Sequence, residues 1–392
     1  LGVEMMFRHC NRIMTSAIKP ESHQRTLLCV ALFFLILTFL LVPAGALVGD
    51  DEADYGDGPV KPTRNRADEP LAESYSLSRA GEFLDATSHD WVKVRKCMTC
   101  HTTGLYLMSR SRLDEDLEVH DTIRAFADGV VTASWAEADA SNKQAASDKT
   151  GPPDAEVVLL AAALALDDEA TTGELAATTR TALDRMWTVQ RDDGGWEWIK
   201  CGWAPLESDD HFGATLAAVA VGHAPDDYAD TPQAIAGMQI LRGYLTANPG
   251  ENLHQRGMRL WASTRLDGLM SEQERNECID QLSALQHDDG GWSLASLGTW
   301  QRDDGEPQDT ETSDGYGTGF VTFLLLEADV PAADARVERG ITWLKQHQRE
   351  SGRWYTRSLF RDSKHFITHA GTAFALMALT SYDGGGDPVA AR

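Results

Sequence analysis

Basic side chains are in short supply. Against 60 Asp and Glu the 392-residue chain sets 35 Lys and Arg, a formal charge of -25 at pH 7. A surface so acidic repels phosphate backbones and anionic lipid heads, which excludes a nucleic-acid-binding role and otherwise means a soluble, self-repelling exterior. Cysteine is sparse as well. Of six, Cys10 and Cys29 fall in the N-terminal stretch, leaving Cys97, Cys100, Cys201 and Cys278, too few to build a disulfide framework in a chain this long. Alternating apolar–polar runs of the strand type are absent. There is no P-loop, and no glycine-rich turn follows a strand, so nucleotide, flavin and phosphate sites of those kinds are excluded.

One long apolar run is present, Thr26–Val42, preceded by Arg8, Arg12, Lys19 and Arg25 and followed by PAGA with Ala44 and Ala46 at small-x-small spacing. This pattern predicts export, with residues 1–46 a signal peptide, or a membrane anchor through residues 26–42 if the leader is kept. Residues 47–73 are acidic and rich in Asp, Gly and Pro and read as a disordered linker, as does the tail 384–392. Between them, 74–383 reads as one domain, helical almost throughout.

Twelve helical segments can be counted there, and they alternate in character. GATLAAVAVG, GTGFVTFLLLEA and AGTAFALMALT are small and apolar all round, as buried helices are; LAATTRTALDRMW, QERNECIDQLSALQ and ARVERGITWLKQ are amphipathic. Six hairpins of this kind predict an all-α fold, an (α/α)6 toroid with an inner ring of helices wrapped by an outer one. Three outer helices are followed by related turns: QRDDGGW from Gln190, QHDDGGW from Gln286 and QRESGRW from Gln348. Their glycines suit the left-handed conformation that ends a helix, and tryptophan and glutamine can take up freed backbone groups. Each turn is therefore expected to staple an outer helix to the next inner one.

These tryptophan turns on a doubled ring of helices resemble the repeats of the terpenoid cyclase and protein prenyltransferase superfamily, and most nearly the squalene–hopene cyclase C-terminal domain. The resemblance spans about Ser74 to Tyr382. It implies proton-initiated cyclisation of an apolar isoprenoid or polyene, requiring no cofactor. The cyclases' Asp-x-Asp-Asp motif is matched by ESDD, with Glu207 in the first place, and so implies Asp209 as the acid, tuned by Asp210 and Glu207. The prenyltransferase zinc site is matched by Asp314-Gly315-Tyr316 and His369, with tyrosine where the thiolate ligand would be.

If all inner helices run parallel, their N-termini share one rim, where a small-molecule or membrane-facing mouth would open. The residues placed there are Cys97, Cys100, His101, Asp209, Asp210, His211, Asn252, His254, Asp314, Tyr316, His365 and His369, with Trp203, Trp261 and Trp300 as candidate lining. SDDHFGAT and SDGYGTG are alike, which pairs Asp210 with Asp314. Each aspartate could equally be a helix cap. A non-catalytic toroid that binds a lipid or partner is the alternative to the enzyme. Cys97-Met-Thr-Cys100-His101 also matches the c-type haem attachment pattern, which would make a redox or sensor protein. A local disulfide, a metal held with His101, or plain packing are its other readings.

Overall fold

The computed structural model describes residues 64–113, 118–136, 154–363 and 365–384. The chain divides into Leu1–Asp54 and Tyr55–Arg392, and everything below concerns the second unit. The leader over 1–46, its apolar run 26–42, the linker up to residue 63 and the tail beyond residue 384 lie outside the described residues. Among the described residues no helix is long and apolar enough to cross a membrane.

Among these residues twelve α-helices follow one another: α1 (Leu77–Arg95), α2 (Leu105–Arg110), α3 (Glu118–Gly129), α4 (Asp154–Thr171), α5 (Ala177–Thr188), α6 (Asp210–His223), α7 (Pro232–Ala247), α8 (Leu253–Ser263), α9 (Glu272–Ala284), α10 (Gly315–Glu327), α11 (Ala335–His347) and α12 (Ile367–Gly384). The even-numbered helices pack in a closed circle, α2 on α4, α4 on α6, and so on until α12 meets α2 again. The odd-numbered ones lie outside. The fold is the all-α (α/α)6 toroid, as the alternation of buried and amphipathic segments requires.

Sequence explains the division. From Phe212 to Val221 every residue of α6 is small or apolar, and the whole stretch is buried. In α10 the stretch Gly315 to Leu325 is wholly buried. Glycine permits the closest approach: a Cβ on Gly319 would lie 2.5 Å from the backbone nitrogen of Ala375 in α12. Outer helices instead carry strong start signals toward solvent. Ser271 and Glu274 form a reciprocal capping box on α9, and Thr231 caps α7 just before Pro232. The centre of the toroid is filled: Tyr316, Phe320 and Phe374 stack within 5.1 to 5.7 Å of one another, and Trp261 joins Phe323 at 5.2 Å. Beneath the expected mouth these rings form a packed aromatic core.

The three turns staple in two directions, one expected and one not. Each tryptophan donates its indole N–H to a carbonyl in the last turn of its own preceding helix: Trp196 to Met186, Trp292 to Leu282, Trp354 to Leu344, at 2.9, 2.7 and 2.8 Å. These are carbonyls a helix end leaves without partners. Each glutamine amide reaches the next outer helix, Gln190 to Gly237 in α7 and Gln286 to Arg336 in α11. The third, Gln348, reaches Ser76, the cap of α1, and so closes the outer layer. The glutamines thus join outer helix to outer helix, while the tryptophan backbones join the turn to the next inner helix as expected: Trp292 N–H donates to Thr318 Oγ1 in α10 at 2.9 Å and Trp354 N–H to Thr372 Oγ1 in α12 at 3.2 Å. Gly194 and Gly290 sit at φ 96° and 93°, and a Cβ there would fall 2.5 and 2.8 Å from the carbonyls of Ile240 and Arg339. Both the positive φ and the close approach require glycine.

Residues 64–73, expected to be linker, are instead strapped to the last turn. Leu71 bridges Arg349, Ala72 N–H donates to the Gln348 carbonyl at 2.8 Å, and buried Arg353 pairs with Glu69. The acidic Glu69 and the turn's two arginines supply an attraction that composition alone does not display.

Candidate functional site

The N-terminal ends of the inner helices do gather at one rim. His101, in the π-turn Cys100–Gly104 that opens α2, stacks on Phe366 just before α12 at 5.5 Å. His254 of α8 lies 6.2 Å from Phe212 of α6 and hydrogen-bonds Tyr316 of α10 at 2.8 Å. The opposite ends meet as well: Arg112 beyond α2 donates to Ser381 of α12, and His223 of α6 pairs with Glu169 of α4.

The aspartates at this rim are engaged in holding it. Asp209 caps α6 through the Phe212 N–H at 3.0 Å and accepts the Ser208 hydroxyl at 3.0 Å. Asp210 accepts the Trp198 N–H at 3.0 Å and pairs with Arg191 and Lys200, both at 2.8 Å. Burial works against its charge, but these donors outweigh burial and hold its carboxyl below the usual range. Asp314 caps α10 and accepts the corresponding N–H, that of Leu294, at 2.7 Å. Its carboxyl is pushed up to about 7 by burial, in spite of these donors and the Thr356 hydroxyl.

Glu207 is different. Its carboxylate makes no hydrogen bond or ion pair among the described residues, and burial alone pushes it up to about 7. It was expected to tune Asp209; burial instead raises Glu207 itself, as it raises Asp314, and of the two Glu207 is the one without a partner among the described residues. It closes a short hairpin, with Trp203 and Glu207 bridged and Glu207 N–H donating to the Trp203 carbonyl at 2.9 Å. That hairpin forms one wall of a shallow cleft lined by His101, Trp203, Glu207, Ser358, Phe360 and Phe366, partly open to solvent and with about 20 Å³ of free volume. Trp203 lies 5.8 Å from Phe360 and is stacked on Phe366 at 5.9 Å. The opposite wall is held rigid by Arg302, wholly buried, which donates to the Ser358 carbonyl at 2.5 Å and pairs with Asp304 and Asp362. His365 supports the same loop by accepting the Ser358 N–H at 3.1 Å, and burial lowers it to about 4.

The remaining expected residues divide between packing and relay. His211 and His254 are buried and lowered by burial to about 4 and about 3, so both are neutral. His254 is enclosed by Phe212, Tyr316, Phe320 and Trp300. Burial drives the Tyr316 hydroxyl far from ionisation. Trp261 does not line the mouth: it lies near the far end of α8, edge-on to His223 at 5.9 Å and to Phe323. His369 contacts the back of the cleft through Thr102, which bonds its Nδ1 at 3.0 Å and His101 Nδ1 at 2.7 Å.

The CMTCH stretch does not fit haem. The His101 ring is enclosed by the edge of Trp91 at 4.9 Å, the face of Phe366, and Trp203 at 6.0 Å, which leaves no slot as wide as a porphyrin. Cys100 is buried and its thiol is pushed well up by burial, with Glu207 and Cys201 adding to the effect. Cys97 is half-buried and also raised, again chiefly by burial. Metal ligation and thioether chemistry both need the thiolate. None of Cys97, Cys100, Cys201 and Cys278 is in a disulfide, and among the described residues no group of three or more His, Cys, Asp or Glu could hold a metal ion.

Phe360, Phe366, Ser358, Thr102 and Asn65 carry no signal that the sequence reading used. They lie in the loop after the last tryptophan turn, in the π-turn and in the strap, whereas the motifs point to residues that open helices. The segment between Trp354 and α12, which contains SLFRDSKHF, is no longer than those after Trp196 and Trp292, so its length gave no signal.

No family model matches the chain, and no curated protein matches it. Among solved structures, a wild-type glycosidase is 12% identical with a TM-score of 0.46, covering 78% of this chain and 98% of its own. A possible member of the GH105 family from Salmonella enterica serovar Paratyphi A is 12% identical with a TM-score of 0.44, covering 71% of this chain and 81% of its own. The resemblance to the squalene–hopene cyclase C-terminal domain is corrected by these findings. The toroids it matches are described as glycosidases, and the tryptophan turns specify outer-layer staples, which any chemistry can share.

Proposed function

We propose that the cleft binds a small, uncharged, ring-bearing molecule, stacked on Trp203 and the two phenylalanines, with the protonated Glu207 carboxyl donating to it. The observation that carries this reading is Glu207 itself: a carboxyl with no partner among the described residues, raised to about 7, on the wall of an aromatic cleft. Glu207 is half-buried, so its carboxyl is reachable from the cleft and free to donate to a ligand acceptor. Aromatic faces suit flat or C–H-rich rings. An acid poised near neutrality also suits general-acid catalysis. Reactions that need a second free carboxylate are disfavoured, because Asp209 and Asp210 are committed to the cap and to ion pairs. Binding to the apolar core of a lipid tail is disfavoured for another reason: the centre of the toroid is filled.

The test is a fluorescence titration with phenol, cyclohexanone and glucose, read as the difference between the wild type and Trp203→Phe. Saturable binding of one of these probes is expected, weakening in the wild type as pH rises through about 7 and independent of pH over that range in Glu207→Gln, whose amide keeps a donor but does not titrate. No saturable response to any of them, in a protein that is folded by circular dichroism, would refute the reading.

A further inference from the structure

Four side chains behind the cleft form one hydrogen-bonded row that starts in the strap and ends at His101. Asn65 Nδ2 is 3.5 Å from His369 Nε2; His369 Nδ1 is 3.0 Å from Thr102 Oγ1; Thr102 Oγ1 is 2.7 Å from His101 Nδ1. The direction of the row can be worked out from its donors and acceptors. Arg353 Nη1 lies 3.1 Å from Asn65 Oδ1, and a guanidinium can only donate. Asn65 Nδ2 lies 3.0 Å from the His365 carbonyl, which can only accept. Both contacts fix the same orientation of the Asn65 amide, so Nδ2 is the atom facing His369. His369 is buried and neutral, held far below the usual histidine range by burial and by the neighbouring His101 and Arg353. Facing a donor, its Nε2 must be the bare nitrogen, and its proton is on Nδ1.

His369 Nδ1–H then donates to Thr102 Oγ1. The Thr102 side chain is buried, and the acceptor within reach of its single hydroxyl proton is His101 Nδ1. Leaving that proton unspent would cost the desolvation of a buried donor. His101 is also neutral, lowered to about 3 by burial, so its own proton sits on Nε2. His101 lines the cleft, and its Nε2 makes no hydrogen bond among the described residues.

We propose that Asn65 acts through His369 and Thr102 as a positioning residue that holds His101 in the Nε2–H tautomer, so that the cleft offers a second neutral donor beside Glu207 and selects a ring-bearing ligand with an acceptor oxygen, a carbonyl or an ether. The ligand clause rests on the proposed function; the tautomer clause stands without it. It also gives the strap a role, since the residue that sets the row's direction lies on it and not on the toroid.

The tautomers are read in the full chain by ¹⁵N-histidine NMR in alkaline buffer, where the imidazoles are neutral, with His101 and His369 assigned by comparison with His101→Gln and His369→Gln. The wild type should show His101 and His369 protonated on Nε2 and Nδ1 respectively. In Asn65→Asp the carboxylate can only accept, so the row reverses: His369 should carry Nε2–H and His101 Nδ1–H. In the double variant with Thr102→Val the residue at 65 should no longer affect His101, whereas Thr102→Ser should preserve the coupling. A wild-type His101 protonated on Nδ1, an unchanged His101 in Asn65→Asp, or coupling that survives Thr102→Val would each overturn the proposal. Cyclohexanone serves as the ligand probe, and reversal of the row should weaken it roughly five- to ten-fold, the worth of one hydrogen bond. Cyclohexanone that never binds, with the tautomers as stated, removes the ligand clause and leaves the relay standing; the proposed function falls with it only if phenol and glucose fail as well.

Discussion

Gln348 and Ser76 are 272 positions apart and share two hydrogen bonds: the amide nitrogen donates to the Ser76 carbonyl and the amide oxygen accepts the Ser76 N–H, both at 2.8 Å. The last outer helix is tied to the first by one side chain, with a third bond from the same amide to the Gly352 carbonyl at 2.9 Å. Gln190 and Gln286 each bond one carbonyl of the next outer helix and one glycine of their own turn. Gln348→Ala should therefore destabilise the fold more than Gln190→Ala, by about 2–4 kcal/mol against about 1–2, at roughly 1 kcal/mol per bond. Urea denaturation of the two variants measures the difference. Hydrogen exchange should show Gln348→Ala loosening α1 selectively; equal losses in the two variants would mean the closure carries no special weight.

Trp203 and Trp261 both qualify as mouth residues by sequence, and they should respond oppositely. Trp261 is 1% exposed and packed among Phe323, Phe374 and His223. Its replacement by alanine should cost about 3–5 kcal/mol, as a buried large-to-small change does. Trp203 is partly exposed at the cleft, and Trp203→Ala should cost less than half of that while abolishing probe binding. Thermal denaturation alongside the phenol titration separates the two. A Trp203→Ala protein as unstable as Trp261→Ala would reduce the aromatic cleft to core packing.

Protein exported together with haem-maturation machinery should show no Soret band, because Trp91, Phe366 and Trp203 occupy the space around His101. Cys97 should react with a thiol reagent before Cys100 and Cys278, since it is half-buried and they are buried. A covalent haem absorbance, retained in denaturant, would show that the π-turn opens far more than its packing allows.

The toroid could be read from the chain because periodic burial is written into every helix: whole-buried segments such as GTGFVTFLLLEA and half-buried ones such as ARVERGITWLKQ alternate, and a double ring of six hairpins satisfies both. The parallel rim followed from that geometry. What could not be read was which polar residue at the rim lacks a partner. Asp209, Asp210 and Asp314 open helices and look like Glu207 in composition, yet their donors come from Phe212, Trp198 and Leu294, backbone groups whose positions depend on turn conformation. Nor does the sequence reveal that Gln348 reaches Ser76, or that Asn65 reaches His369, since both contacts join the two ends of the domain. Motif reasoning failed at CMTCH for a similar reason: the pentapeptide gives the ligands but not the aromatic rings that fill the space a haem would need.

Stability should carry the mark of Glu207. The folded carboxyl titrates at about 7, above the roughly 4.3 of an exposed glutamate. The folded state therefore holds the proton more tightly than the unfolded state does. Below about pH 4 both states are protonated and Glu207 exacts nothing. As pH rises through the window from about 4.3 to about 7 the unfolded state ionises first, and stability falls; above about 7 the loss is complete. Its size is at most about 4 kcal/mol, since each tenfold difference in proton affinity between the two states is worth roughly 1.4 kcal/mol, and less to the extent that water enters the cleft. Glu207→Gln keeps the shape and removes the titration. It should match the wild type near pH 4 and exceed it in stability near pH 8, in urea denaturation at the two pH values. Asp314 adds a slope of the same sign, but it is present in both proteins and drops out of the comparison. Equal stability of wild type and Glu207→Gln at the higher pH would mean that the carboxyl is hydrated or paired in solution, and the proton donor assigned to the cleft would go with it.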